Sequence, residues 1–277
     1  MTTTDDNAEP GHASRIALGI EYDGRDFSGW QKQAAPELPT VQGALESALA
    51  NVADHPVSLV CAGRTDTGVH ATGQVVHFDC AIDRGAKAWI RGSNSQLPYS
   101  VRVTWAQTVS NEFHARFSAM SRRYLYVLYV NPVASAIAAG QITHVTSPLN
   151  VAAMHEAAQF LLGEQDFSAF QAAGCQSSTP FRNVHWLKVQ QHREFIVVDI
   201  QANAFLQHMV RNIVGMLLEV GQGRQSPAWA QELLQQRDRT LGAMTAPADG
   251  LYLVDVRYPE KFTLPTRPTG PLFLQPY

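Results

Sequence analysis

Cysteine is scarce: Cys61, Cys80 and Cys175 are the three in 277 residues, an odd number with no Cys-x-x-Cys pair. That pattern excludes a disulfide framework and a thiolate zinc site, and reads as reduced, buried thiols in a cytosolic protein. The ten histidines contain no His-x-x-x-His or comparable ligand set, so no metal and no cofactor is implied. No apolar run approaches the roughly 20 residues that span a bilayer, and the chain reads as soluble and cytoplasmic, with no membrane partner. The first residues lack the basic-then-apolar order of a signal peptide and carry Asp5, Asp6 and Glu9, so residues 1–13 are expected to form a disordered tail. An excess of positive charge is missing too. The net charge is −3 with pI ≈ 6.4, which taken alone argues against a nucleic-acid partner. Lysine, however, supplies only four of the 21 basic residues and arginine 17. Arginine grips phosphate with two parallel hydrogen bonds and stacks on bases, so a local basic cleft on an acidic protein stays open.

What the chain does contain is enough apolar residue, 45%, for a substantial core, and a length that suits two domains. In the first half, Ile16–Tyr22 reads as a strand. Thr40 then caps a helix from Val41 to Ala53 whose apolar positions share one face. After the apolar run Val57–Cys61 come a strand over Gln74–Asp79 and a helix around Ala86–Arg91. Glycine and proline break the chain between Gly92 and Pro98, and Val101–Ala106 resumes as a half-buried strand. This β-α-β-β-α-β order is the ferredoxin-like unit. The second half repeats the rhythm. A strand over Arg122–Tyr129 precedes a helix capped by Asn150, a hairpin of Val184–Val189 with Phe195–Ile200, and a helix from about Phe205 to Val220. A short helix opened by Ser226 and Pro227, and a strand over Gly250–Val256, complete it. The expectation is an α+β fold: two similar ferredoxin/RRM-like domains, residues 14–117 and 118–277, with antiparallel sheets side by side and the active-site cleft between them.

Ala62-Gly63-Arg64-Thr65-Asp66-Thr67-Gly68 sets one carboxylate on a glycine-hinged loop. Arg64 and Asp66, two apart, point to one side in extended geometry, so cation and carboxylate can face one ligand carrying both phosphates and a reacting carbon. The same stretch also serves as a plain Asp-stabilised turn with a surface ion partner. Asp66-Thr67-Gly68 further matches the triplet of aspartic proteases, but Arg64 opposes the shared proton that such a dyad needs. Phe27-Ser28-Gly29-Trp30-Gln31 has the composition of a base-stacking loop or of an aromatic pair packed on the sheet. Phe113-His114-Ala115-Arg116-Phe117 and Arg122-Arg123-Tyr124 interleave bases with aromatics, as phosphate-tracking surfaces do, although Tyr126 reads as sheet filler. Arg211 lies inside an apolar helix and needs a partner. Asp66 is one candidate, and snorkelling at the helix edge is the alternative.

Taken together, Gly19-Ile20-Glu21-Tyr22-Asp23-Gly24, Ser28-Gly29-Trp30-Gln31, Arg64-Thr65-Asp66, Phe113-His114-Ala115-Arg116-Phe117, Arg123-Tyr124, Val210-Arg211-Asn212 and Gly250-Leu251-Tyr252-Leu253 resemble the bacterial tRNA pseudouridine synthase A family, from about Ile16 to Pro276. The resemblance implies isomerisation of uridine to pseudouridine at positions 38, 39 and 40 of the tRNA anticodon stem-loop by a homodimer. It implies Asp66 as the catalytic carboxylate and Arg211 as its ion-pair partner. Tyr124 is implied to lie against the uracil, Leu251 to wall the pocket, and Arg64 to hold the target nucleotide out of the stack. The sequence departs from the family at Thr67, where alanine is usual, and activity is expected to survive. A non-catalytic RNA-binding protein using the same surfaces is the rival reading.

Overall fold

The computed structural model describes residues 14–33 and 38–275, so the tail expected over residues 1–13 lies outside the described residues. In chain order the strands and helices of the first half are β1 (Ser14–Tyr22), α1 (Val41–Ala53), β2 (Val60–Cys61), β3 (His70–Cys80), α2 (Ala86–Gln96) and β4 (Val101–Val109). The second half continues with β5 (Ser121–Val130), β6 (Thr143–Val145), α3 (Val151–Gln159), β7 (Gly163–Asp166), β8 (Phe181–His192), β9 (Phe195–Ala202), α4 (Met209–Gly221), α5 (Trp229–Gln236) and β10 (Leu251–Arg257).

The fold is mixed α and β around one sheet, of order β4-β1-β3-β10-β5-β9-β8-β7, with β2 on β3 and β6 on β5. The expected pair of sheets is thus a single continuous one. Within the first half, β4, β1, β3 and β2 stand in the ferredoxin-like order 4-1-3-2. Strands β10, β5, β9 and β8 repeat that order in the second half. Inside each half the neighbours run antiparallel, except that the short β6 lies parallel to β5; at the join β10 pairs with β3 in parallel, Tyr252 beside His70 and Leu253 beside Ala71. Parallel pairing needs a long connection, and the whole second half supplies it.

Local chemistry accounts for most boundaries. Thr40 and Asn150 accept the backbone N–H of Gly43 and Ala153 and start α1 and α3. Helix α2 outruns the break expected at Gly92 and continues to Gln96. A Cβ on Gly92 would sit 2.9 Å from Val52 Cγ2, so the absent side chain lets α2 close on α1. Asn94 then fastens the helix to β4 by exchanging hydrogen bonds with Val103 N–H and C=O, both 2.8 Å. Helix α4 begins at Met209 rather than Phe205, because His208 adopts φ 61 and breaks the helical backbone. The main core includes Tyr124, Tyr126 and Leu128 of β5 together with residues of α1, α3 and α4. Leu125 and Val127, alternating to the other side, form a smaller cluster with Tyr252 and Val254.

Candidate active site

The loop after β2 is held from below. Tyr22 and Thr65 share a buried hydroxyl–hydroxyl hydrogen bond of 2.7 Å, Trp30 N–H donates to Thr65 C=O at 3.0 Å, and Gln74 donates to Gly63 C=O at 2.6 Å. Val69 N–H closes a turn onto Asp66 C=O at 3.2 Å. Gly29 has φ 94, and a Cβ there would lie 2.9 Å from Thr65 O, so only glycine lets this strap press on the loop. Of the two readings of Phe27–Gln31, the structure takes the packed one. Phe27 and Trp30 are buried, and Trp30 leans on Tyr22 at 6.0 Å. They brace the acidic loop from within the core.

Above the loop opens a cleft of about 1250 Å³ whose walls come from both halves of the chain, including Arg64, Asp66, Arg116, Tyr124, Arg211 and Leu251. Asp66, 30% exposed, turns Oδ2 toward Arg211 Nη1 at 3.5 Å and His208 Nε2 at 3.4 Å. Arg211 also donates from Nε to Ala246 C=O at 2.7 Å, which fixes the guanidinium in place. The residue expected to need a partner therefore has Asp66 beside it. His208 was not singled out from the sequence. Its spacing of three residues from Arg211, just ahead of the helix, is the signal that could have found it.

Tyr124 is buried with its ring edge-on to Phe205 at 5.1 Å, and burial pushes its hydroxyl above the ordinary tyrosine range, so it stays protonated. Leu251 is buried at the start of β10. Arg64 is exposed and makes no ion pair or hydrogen bond among the described residues. Cys61 also lines the cleft, but burial pushes its thiol up to about 11 against the opposing pull of Arg64, so it stays a thiol there.

Two expected phosphate contacts are corrected. Arg122 is spent on backbone carbonyls, donating to Ala62 at 2.8 Å, Arg116 at 2.7 Å and Asn203 at 3.0 Å. Arg123 leaves by the opposite face of β5, where it grips Asp199 through 2.8 and 2.7 Å bonds and lies over the Trp186 ring. Alternation along a strand sends neighbouring arginines to opposite sides, and the carboxylate of β9 captures the second. Tyr126 is the filler it was read as, fully buried and hydrogen-bonded to Thr143 at 2.6 Å.

One carboxylate in a wide cleft lined by several guanidiniums is an arrangement able to hold a polyanion and to do proton or nucleophilic chemistry on it. The chain belongs to the tRNA pseudouridine synthase family of isomerases, whose pattern it matches over residues 19–118 and 157–259. It is 57% identical to the tRNA pseudouridine synthase A of Actinobacillus succinogenes over 260 residues, 94% of this chain and 98% of that one. The Haemophilus influenzae protein of the same name is 57% identical over 261 residues, 94% and 96% of the two chains. That of Actinobacillus pleuropneumoniae serotype 3 is 58% identical over 260 residues, 94% and 98%.

Proposed function

We propose that the cleft isomerises uridine to pseudouridine in the anticodon stem-loop of tRNA, at positions 38, 39 and 40, with Asp66 acting at the glycosidic bond of a flipped-out nucleotide. The observation that carries this reading is the meeting of Asp66 with Arg211 and His208 in a cleft shared with Tyr124 and Leu251. In the reaction the bond from N1 to C1′ breaks, the uracil turns, and C5 bonds to C1′; the C5 proton leaves and N1 gains one, so no atom is added. Tyr124 and Leu251 give the turning ring an apolar slot, and protonated Tyr124 cannot compete with Asp66 for the sugar. Arg64, exposed and unpaired among the described residues, is free to fill the gap in the stem, where extruding a base costs a few kcal/mol. Thr67 is exposed, so its extra bulk over alanine meets nothing in the loop.

The same reading places the enzyme in the cytoplasm as a homodimer with tRNA crossing both subunits. It also divides each subunit into domains 14–117 and 118–277. The recurrence of the 4-1-3-2 strand order and the two separately matched segments, one ending at residue 118, support that division.

The test is tritium release from a tRNA transcript labelled at uracil C5. Wild type releases tritium and Asp66→Ala does not, while gel shifts give the two proteins similar affinity. Sites are then mapped on the product. Turnover by Asp66→Ala overturns the role of the carboxylate, and product outside positions 38–40 overturns the site assignment.

A further inference from the structure

We propose that Phe117, with Arg116 beside it, is a preformed stacking platform on the rim of the cleft that takes an unpaired base of the bound RNA. The inference rests on the cleft being the tRNA site. Phe117 is 77% exposed. Its ring is stacked on His114 at 4.3 Å and 27°, and Arg116 holds its guanidinium 5.6 Å from the same ring.

The platform is rigid. Phe113 and Ala115, which alternate with the exposed residues, are wholly buried. His114 Nδ1 accepts the backbone N–H of Arg116 at 3.2 Å and of Phe117 at 3.1 Å, and Ser118 and His114 exchange two further hydrogen bonds at 3.0 and 2.9 Å. Tyr258 donates to Ala115 C=O at 2.7 Å and His77 accepts Ala115 N–H at 3.1 Å, which pins the segment to the sheet. Partial burial and the nearby Arg15 lower the His114 proton affinity, so the ring under Phe117 is neutral and packs as an aromatic.

Nothing internal uses this arrangement. Arg116 makes no ion pair or side-chain hydrogen bond among the described residues, yet it lines the cleft that holds Asp66. A cation without a carboxylate beside an open aromatic face is complementary to a nucleotide, phosphate on the guanidinium and base on the ring. Base–aromatic stacking tolerates any base, so the platform supplies affinity and orientation without reading sequence.

The experiment compares wild type with Phe117→Ala, Phe117→Leu, Phe117→Trp and Arg116→Ala, each checked for unchanged melting and for subunit association by sedimentation. Affinity for an unmodified tRNA transcript is measured against salt, with tritium release at saturating tRNA in parallel. Phe117→Ala and Phe117→Leu are expected to weaken binding roughly tenfold, Phe117→Trp to hold wild-type affinity, and saturated turnover to stay near wild type. Arg116→Ala is expected to lower the salt slope by about one, which Phe117→Ala leaves unchanged. Wild-type affinity in Phe117→Ala overturns the platform. So does a loss of affinity that follows dissociation of subunits, which would make the face a contact with a second copy. Failure of the wild type itself to release tritium would strike the proposed function and not this inference.

Discussion

Arg211 and His208 both converge on Oδ2 of Asp66, leaving Oδ1 without a partner among the described residues. On the proposed function, Oδ1 is the oxygen left to face the substrate. His208 also lines the cleft, and on the proposed reading its contact with Asp66 makes it a positioning residue. His208→Ala is expected to lower kcat about tenfold with KM for tRNA little changed, a loss of about 1.4 kcal/mol for removing one polar contact to the carboxylate. His208→Gln, which keeps an amide N–H, is expected to recover most of that rate. Steady-state kinetics decide it: a raised KM with unchanged kcat would assign His208 to RNA binding. The contrast with Arg211 is instructive about what a sequence discloses. A guanidinium amid Val210, Val214 and Leu217 announces a missing partner, because burying it alone is costly. His208 announces nothing, since its aim depends on a left-handed backbone angle that the residue types around it do not dictate.

At the scale of elements, β3 is the hub that holds the rim segment through histidines kept neutral. Burial, and then the charges of Arg15 and His114, push His77 down to about 4, and its Nδ1 accepts Ala115 N–H. His70, also on β3, is depressed chiefly by burial and accepts Gly24 N–H at 3.1 Å. In the unfolded chain such a histidine takes up a proton near pH 6.5, so the unfolded state binds more protons between that pH and about 4. For His77 the stabilisation is whole above pH 6.5 and is lost as the pH falls toward 4, by at most ~1.4 kcal/mol per pH unit. Urea midpoints at pH 7 and pH 4.5 measure this. His77→Gln, whose amide oxygen accepts the same N–H, is expected to show a smaller drop than wild type, and an equal drop would exclude His77 as a source. Elements of this kind were largely readable beforehand: caps at Thr40 and Asn150 and alternation in β4 and β5 need only local chemistry. The length of α2 was not readable, because what carries it past Gly92 is Val52 on another helix and Val103 on a strand.

On the scale of the whole molecule, the carboxylate lies in the first half and its partners His208 and Arg211 in the second, so the site exists only while β3 and β10 stay joined. The repeated order of elements was legible in the sequence, whereas the parallel join was not, since no local pattern records which distant strands meet. The seam is tight: a Cβ on Gly73 of β3 would fall 2.2 Å from Val254 O. Gly73→Val is accordingly expected to cost about 1–3 kcal/mol of strain, to lower the melting temperature by several degrees and to reduce turnover with it. Thermal melts check this, and an unchanged Tm would show that the seam yields. Strand β10 is the last in chain order yet occupies the middle of the sheet. During synthesis, then, β3 and β5 wait with edges only partly covered by β2 and β6 until residues 251–257 have left the ribosome. A chain halted before that point lacks the strand that joins its halves, and the unpaired stretches of the two edges are templates for aggregation.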